Sequence, residues 1–265
     1  MNLTSEALIR FRMEVRSWLS ANIPECLVIP RPDQDMSLEI EEWVLGFRRK
    51  LGGHGWLAPN WPAHFGGGNL SPQAGFIIME ELKRFSLPPL GLNTTFLVPL
   101  RVWGTEQQKA KWLVPTLRGE ITVHQIQSEP STGTDLAHQS TTAVRDGDDY
   151  IVNGEKGFIA SPMTADYLFI LVTTNPDGVK YENLSMIILN ARDPGVSVRS
   201  RKMLTGRSQR SFIIKDVRVP LEDVIGGEGG GWKVAQTLLD VERGGMGANL
   251  EQQKMIEERE GQYWG

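Results

Sequence analysis

The chain has 265 residues, of which 40% are hydrophobic and 23% are charged, and its formal net charge is −4. This length and composition allow one large globular domain or two modest ones with well-buried cores. The excess of acidic residues argues against a nucleic-acid partner, because such proteins usually present a basic surface.

The cysteine and histidine content and the length of the apolar runs indicate the compartment of the protein and whether it binds a metal. The single cysteine, Cys26, cannot form an intrachain disulfide, so the fold does not depend on an oxidising compartment. The N-terminus shows no secretory signal, and no apolar run approaches transmembrane length. We therefore expect a cytoplasmic protein with no membrane partner. The four histidines form no helical i, i+4 pair and lie near no cysteine cluster, so we expect no metal site.

Helical spacing dominates the first 119 residues. Apolar residues recur on one face of a first helix with Thr4 as its N-cap, and on a second helix that ends at Gly52-Gly53. Ser71-Pro72 should open a third helix. Thr105 begins a capping box for a fourth, which Pro115 should bend or shorten.

The apolar period changes at Glu120. Seven short segments rich in β-branched and aromatic residues follow between positions 121 and 219, separated by turn signals. Asp146-Gly147 and Asn153-Gly154 are the strongest hairpin signals among them. This spacing predicts a small antiparallel β-sandwich or β-barrel.

A glycine-rich loop at 226–231 then leads into a helix that begins near Trp232. The loop matches neither the dinucleotide-binding nor the P-loop pattern, so a flexible linker is favoured over a phosphate cradle. The predicted fold is α+β, with a helical N-terminal domain (1–119), a middle β-domain (120–222) and the first part of a C-terminal helical domain (223–265) that looks truncated.

Two segments are the strongest candidates for a ligand site. Residues 124–135 run from a β-segment into a turn rich in hydroxyl and amide groups, and residues 153–159 bring the aromatic ring of Phe158 alongside. Backbone N–H groups and hydroxyls can meet the heteroatoms of a flat heterocycle while the ring covers one face. The spacing therefore predicts a site for such a ligand.

Glu242-Arg243 follows an apolar helical turn and has two interpretations. A carboxylate beside an apolar face can be desolvated, which raises its pKa and makes it a better base near neutral pH. The pair can equally be a solvated couple on the outer helix face. The local sequence alone favours the second interpretation.

Several motifs in matching order make the chain resemble the acyl-CoA dehydrogenase family, and together they cover nearly the whole chain. The joint match is highly specific, although each motif alone is weak. The matching segments are Gly55–Gly67, Gly104–Lys109, Ser128–Asp135, Asp148–Ile159, Asp216–Pro220 and Leu239–Arg243.

The resemblance implies FAD bound among an N-terminal helical, a middle β and a C-terminal four-helix domain. Its catalytic base falls on Glu242, with Arg243 as positional support. Thr134 and Arg243 are also expected to contact the substrate. The residues expected to bind the flavin are Gln125, Gln127, Ser128, Gly133, Thr134, Phe158 and Ala160.

The implied reaction is α,β-dehydrogenation of an acyl-CoA thioester to a 2-enoyl-CoA. The implied partners are an electron-transfer flavoprotein or a similar acceptor, and further subunits in a homo- or hetero-oligomer. An alternative hypothesis is a non-catalytic or partly degenerate partner subunit or fragment of an acyl-CoA dehydrogenase complex. It rests on the short third domain and on Ala160, which replaces a hydroxyl residue of the family motif. Flavin monooxygenase or nitroalkane oxidase chemistry is a less favoured third option.

Overall fold

The computed structural model describes residues 4–243 except positions 26, 28, 30, 32, 33, 93 and 162, and its side-chain description leaves out positions 94 and 240–243. The chain divides into two compact units. A helical unit comprises the chain up to Leu92 with Trp112–Ile121 and Thr205–Arg207. A β-unit comprises Asn93–Lys111, Thr122–Leu204 and the described chain from Ser208.

Three long helices form the helical unit: α1 (Ser5–Asn22), α2 (Leu38–Gly53) and α3 (Pro72–Leu82). The predicted N-caps Thr4 and Ser71 are confirmed, because each hydroxyl accepts a backbone N–H of the first turn. The apolar faces of the helices meet in a core rich in aromatic rings. Every helix in the described chain is too short or too polar to cross a bilayer.

The end of α2 lies very close to the backbone near Arg118. A Cβ atom placed on Gly52 would come within 2.1 Å of the Arg118 carbonyl oxygen. A Cβ atom on the neighbouring Gly53 would meet nothing within 4 Å. Glycine at position 52 is therefore required for packing, and glycine at position 53 is not.

Glu81 of α3 is buried among arginines. Its carboxylate pairs with Arg12 at 2.9 Å, Arg16 at 2.8 Å and Arg84 at 3.6 Å. Hydrogen bonds from Arg16, opposed by burial and assisted by Arg12, lower the pKa of Glu81 to about 2. The acidic side chain therefore stays charged inside the helical unit.

Helix α4 (Thr94–Trp103) is followed by α5 (Glu106–Gln108), a π-helical turn (Lys109–Leu113) and α6 (Val114–Leu117). The predicted capping box is confirmed: Thr105 Oγ1 accepts from Gln108 N at 3.2 Å, and Gln108 Oε1 accepts from Thr105 N at 2.9 Å. Pro115 lies in the first turn of α6, directly after the π-helical turn, so the regular α-helical pattern is interrupted just before it.

Eight strands form the sheet of the β-unit, in the order β6-β7-β3-β2-β4-β5-β8, with β1 beside β4. Most neighbours are antiparallel, but β1 and β2 both run parallel to β4. The strands are β1 (Val123–Ile126), β2 (Thr142–Asp146), β3 (Asp149–Ile159), β4 (Tyr167–Thr173), β5 (Leu184–Asn190), β6 (Val196–Lys202), β7 (Ser208–Pro220) and β8 (Val224–Ile225).

Of the two predicted hairpins, one is confirmed and one is wrong. β2 and β3 turn at Asp146-Gly147, where Gly147 has a φ of 64°. At Asn153-Gly154, however, β3 continues through a bulge opposite β7. Asn153 Nδ2 donates to Asp216 Oδ1 at 3.1 Å, and Asp216 N donates to Asn153 Oδ1 at 2.9 Å. These reciprocal bonds hold the bulge, and β3 therefore extends as far as Ile159.

Helix α7 (Gly231–Arg243) packs on β5 and β4, and α4 packs against α7 and beside β1. Phe96 of α4 meets Phe169 of β4 edge to face with ring centroids 5.1 Å apart. Trp103 Nε1 donates to Thr237 Oγ1 of α7 at 2.9 Å. The apolar residues of α7 buried here are Val234, Ala235 and Leu238. These three side chains are therefore covered within the unit.

The glycine-rich loop before α7 is closely packed, so its interpretation as a flexible linker is wrong. Gly229 N donates to Ser185 Oγ on β5 at 3.0 Å. A Cβ atom on Gly231 would lie 2.6 Å from the Ser185 backbone. Glycine is needed here because the loop passes directly over β5.

Candidate functional site

The two segments singled out in the sequence meet at the ends of β1 and β3. The backbone N–H of Gly157 donates to the Ser128 carbonyl at 2.9 Å. Ser128 opens the polar turn that follows β1, and Gly157 directly precedes Phe158. The turn and the aromatic residue therefore belong to one local structure, as the spacing predicts.

The polar turn at Ser128–Asp135 has a closed base and an exposed stretch that follows it. Glu129 and Thr132 exchange two backbone hydrogen bonds at the base, of 2.8 and 3.1 Å. Gly133 and Thr134 form the exposed stretch after the base, and a Cβ atom on Gly133 would meet nothing within 4 Å. Within the described chain, the backbone N–H groups of Gly133 and Thr134 have no acceptor.

A cavity of about 480 Å³ opens beside the turn. A separate cavity of about 560 Å³ in the helical unit is lined by none of the candidate site residues. The residues that line the cavity beside the turn are Ser131, Thr132, Gly133, Asp135, His138, Gln139 and Ser140. His138 Nδ1 and Asp135 Oδ2 are 2.7 Å apart at its mouth. The hydrogen bond from His138 is the main cause of a lowered pKa at Asp135.

Phe158 stands at the end of β3 with half of its surface exposed (50%). Its φ of 71° lies in the left-handed region, which is costly for a bulky residue, and it falls in a bulge between Lys156 and Ile159. Ala160 follows, also exposed. A large apolar ring is thus held towards solvent at some cost in backbone energy, as expected where a ligand is to be covered.

The two glutamines of the β1 region have different environments. Gln125 is half-buried, and its Oε1 accepts from Thr95 Oγ1 at 3.3 Å. Gln127 is buried, and its side chain bonds β4: Leu171 N donates to Oε1 at 2.7 Å, and Nε2 donates to Phe169 O at 3.2 Å. A ligand contact by Gln127 is therefore left to its backbone, whereas the amide of Gln125 is half-buried beside α4.

The candidate base and its neighbour end the last described helix. Glu242 and Arg243 are the final two residues of α7, and their side chains lie outside the described part of the molecule. Position 242 follows the buried residues Ala235 and Leu238 by seven and four positions. That interval is the helical repeat of one face, and the role of Glu242 as the base stays a prediction.

The sequence did not indicate a role for Glu129 or Lys156, although both lie inside segments that resemble the acyl-CoA dehydrogenase family. They form an ion pair at 2.8 Å with no solvent exposure of either side chain. Against the opposing effect of burial, the Lys156 charge lowers the pKa of Glu129 to about 2. Burial lowers the pKa of Lys156, and Glu129 opposes that shift. Nothing in the local sequence marks either residue as buried, because Glu129 lies in a polar turn and Lys156 directly follows Asn153-Gly154-Glu155.

Two family models cover most of the chain. The acyl-CoA dehydrogenase N-terminal domain matches residues 5–120, and the acyl-CoA dehydrogenase middle domain matches residues 124–217. The chain belongs to the acyl-CoA dehydrogenase family.

Relatives within the acyl-CoA dehydrogenase family show the same extent of match. The acyl-CoA dehydrogenase FadE29 of Mycobacterium tuberculosis is 36% identical over 217 residues, which are 80% of this chain and 56% of FadE29. A solved structure, the G363A variant of the Tcur3481-Tcur3483 steroid ACAD, has 32% identity and a TM-score of 0.75 over 91% of this chain and 63% of that chain. The ChsE4-ChsE5 complex from M. tuberculosis has 30% identity and a TM-score of 0.67, over 91% and 61%. The chain thus spans between half and two thirds of these relatives.

Acyl-CoA dehydrogenases depend on FAD, and the turn of this chain fits that cofactor. The hydroxyls of Ser128 and Thr134 have no hydrogen-bond partner within the described residues, and the exposed backbone of Gly133 and Thr134 offers two N–H donors. The ring of Phe158 is exposed on the adjoining strand. An isoalloxazine has polar edges and an apolar face, so these groups are chemically matched to it.

Proposed function

We propose that this chain forms the flavin-facing part of an FAD-dependent acyl-CoA dehydrogenase that converts an acyl-CoA thioester into a 2-enoyl-CoA. The observation that carries the proposal is the Ser128–Gly157 hydrogen bond, which joins the donor-rich turn to the strand that presents Phe158. The family membership of the chain supports the same reaction class.

In this proposal Glu242 is the base. Its carboxylate takes the proton from the carbon next to the thioester carbonyl, while the hydrogen on the following carbon leaves with its electron pair and a carbon–carbon double bond forms. FAD, when bound, supplies the two-electron acceptor for that hydride. Arg243 positions Glu242, and both Arg243 and Thr134 contact the substrate. A general base of this kind contributes roughly a hundredfold or more to the rate.

The turn has a matching electrostatic role. The N–H groups of Gly133 and Thr134 and the hydroxyl of Ser128 are donors without an acceptor among the described residues. Donors directed at a bound group would stabilise negative charge that develops on it. Gln125 and Gln127 would border the bound flavin, Phe158 would cover one face of its ring, and Ala160 would adjoin it without a hydroxyl. The proposed electron acceptor is an electron-transfer flavoprotein or a similar protein.

The visible spectrum of the purified protein with added FAD tests this proposal. A bound flavin that is bleached under anaerobic conditions by at least one thioester from a panel of acyl-CoAs is the expected result. A flavin that binds but is bleached by none of the panel would reject the assigned reaction. Free CoA serves as the control, because it lacks the acyl group and should leave the spectrum unchanged.

A second candidate is a partner subunit that completes an active site with another chain. It is favoured by the two-protein names of the similar structures, ChsE4-ChsE5 and Tcur3481-Tcur3483, and by the absence of a hydroxyl at Ala160. A protein that stays colourless with FAD but becomes yellow when mixed with a longer homologue would support this candidate. A yellow protein that turns over acyl-CoA alone would exclude it.

A further inference from the structure

The ammonium group of Lys156 has a complete set of partners inside the β-unit. Its three N–H donors reach Glu129 Oε1 at 2.8 Å, Leu171 O at 2.5 Å and Gln139 Oε1. A buried ammonium that loses an acceptor keeps the full cost of its desolvation. The position of Lys156 is therefore fixed by three separate segments of the chain.

The carboxylate of Glu129 is just as fully bonded. Its Oε1 also accepts from Thr141 N at 2.9 Å, while Oε2 accepts from Ser140 N at 2.6 Å and from Ser140 Oγ at 2.5 Å. Glu129 thus links the base of the polar turn to the start of β2. Lys156 links the same carboxylate to β3 and to β4.

Both charged residues adjoin the flavin-facing groups in the sequence. Glu129 follows Ser128, and Lys156 precedes Gly157, the donor of the hydrogen bond to Ser128. Phe158 directly follows Gly157, and its unfavourable left-handed φ is maintained only if neighbouring residues hold the backbone in place. A displacement of either charged side chain would move the turn and the aromatic ring relative to each other.

We infer that the buried Lys156–Glu129 pair, with Gln139, is a positioning element that holds the Ser128–Asp135 turn and Phe158 in register to receive the flavin. This inference rests on the proposed function. A buried ion pair contributes little net stability compared with apolar side chains of the same volume. Its benefit lies in a defined geometry, so flavin affinity should depend on the pair even where stability does not.

The test compares Glu129→Gln, Lys156→Met and the double variant in the full chain, by thermal unfolding and by FAD titration. Each single variant strands a buried charge, so we expect a lower Tm and at least a tenfold weaker FAD affinity. The double variant removes both charges. We expect its Tm to return most of the way to the wild-type value while its FAD Kd stays at least tenfold higher. Parallel recovery of Tm and Kd would overturn the inference.

A matched control is Asp223→Asn, which removes a carboxylate paired with Lys111 at 2.8 Å in the same unit. Its FAD Kd should stay within twofold of wild type.

Gln139→Leu provides a milder variant if the double variant does not fold. We expect it to weaken FAD binding severalfold and to speed hydrogen exchange at the Gly157 amide. Wild-type values for both quantities would overturn the inference.

The outcomes also separate this inference from the proposed function. If the wild-type protein binds no FAD, alone or with a longer homologue, the proposed function and the positioning role are both rejected. If the wild-type protein binds FAD and the double variant binds it equally well, only the positioning role is rejected. Flavin affinity and amide exchange decide the question without any measurement of turnover.

Discussion

Gly157 and Ser128 are joined by a single backbone hydrogen bond of 2.9 Å, which unites two segments that are almost thirty positions apart in the chain. On one side of this bond lies a turn with exposed donors, and on the other a half-exposed aromatic ring. The bond thus brings together the two segments of the proposed flavin site.

Replacing Glu242 by Gln should leave the flavin spectrum unchanged and lower kcat at least about a hundredfold, because an amide cannot accept the substrate proton. Anaerobic bleaching by the best acyl-CoA of the panel measures the effect. Glu222→Gln is the control, since Glu222 is an exposed carboxylate that pairs with Lys111. Wild-type turnover in Glu242→Gln would remove Glu242 from the mechanism.

Phe158→Gly should be more stable than Phe158→Ala by about 1 kcal/mol, because only glycine adopts the left-handed conformation without steric cost. Both variants lose the aromatic ring, so both should weaken FAD binding to a similar degree. Urea unfolding gives the difference in stability, and FAD titration gives the affinity. Equal stability of the two variants would show that the left-handed backbone at position 158 carries no strain.

Acid should destabilise the protein as the pH falls from about 4.5 towards 2. The pKa values of Glu129 and Glu81 are about 2 in the folded state, against an ordinary value of 4.5. The stabilisation that each carboxylate provides is complete above pH 4.5 and disappears as the folded state is protonated. For buried Glu129 it is on the order of 3 kcal/mol. Urea unfolding at several pH values should show a shallower acid slope in Glu129→Gln, and an identical slope would contradict the assignment.

Gly52→Ala should destabilise the helical unit by roughly 2 kcal/mol or more, because the added Cβ would collide with the Arg118 carbonyl at 2.1 Å. Gly53→Ala is the matched control at the next position, where a Cβ meets nothing. It should be neutral or stabilising by up to about 1 kcal/mol, because alanine has the better helix propensity. Thermal unfolding of the two variants should therefore give shifts of opposite sign or very different size.

Local sequence signals predicted the parts of the fold that are decided locally. Thr4, Ser71 and Thr105 cap their helices as expected, and Asp146-Gly147 turns the β2–β3 hairpin. In each case the bonding partners lie within a few positions along the chain. Such pairings can be recognised from spacing alone.

Long-range contacts decided the parts that the sequence did not predict. The Asn153-Gly154 pair predicts a turn, but hydrogen bonding of Asn153 to Asp216, 63 positions later in the chain, holds it in a strand bulge. The parallel pairing of β1 with β4 joins residues 44 positions apart, such as Val123 and Tyr167. The partners of Lys156 likewise come from three other segments. No periodicity within one segment encodes these contacts.

The candidate site was predicted in outline by its two converging segments, and the role of Glu242 came from the family resemblance. The buried pair beneath the site was missed, because a lysine in a strand usually indicates a solvated face. Only the folded sheet shows that the side chain of Lys156 points inward.

The salt bridge between positions 129 and 156 also restricts how this sequence can evolve. Loss of either partner alone leaves an uncompensated buried charge at a cost of about 3–5 kcal/mol, which is comparable with the whole stability margin of many domains. A single substitution at either position should therefore be too destabilising to be retained as a neutral change. Natural variation should reach an apolar pair only by paired substitutions, or in lineages that first gained stability elsewhere.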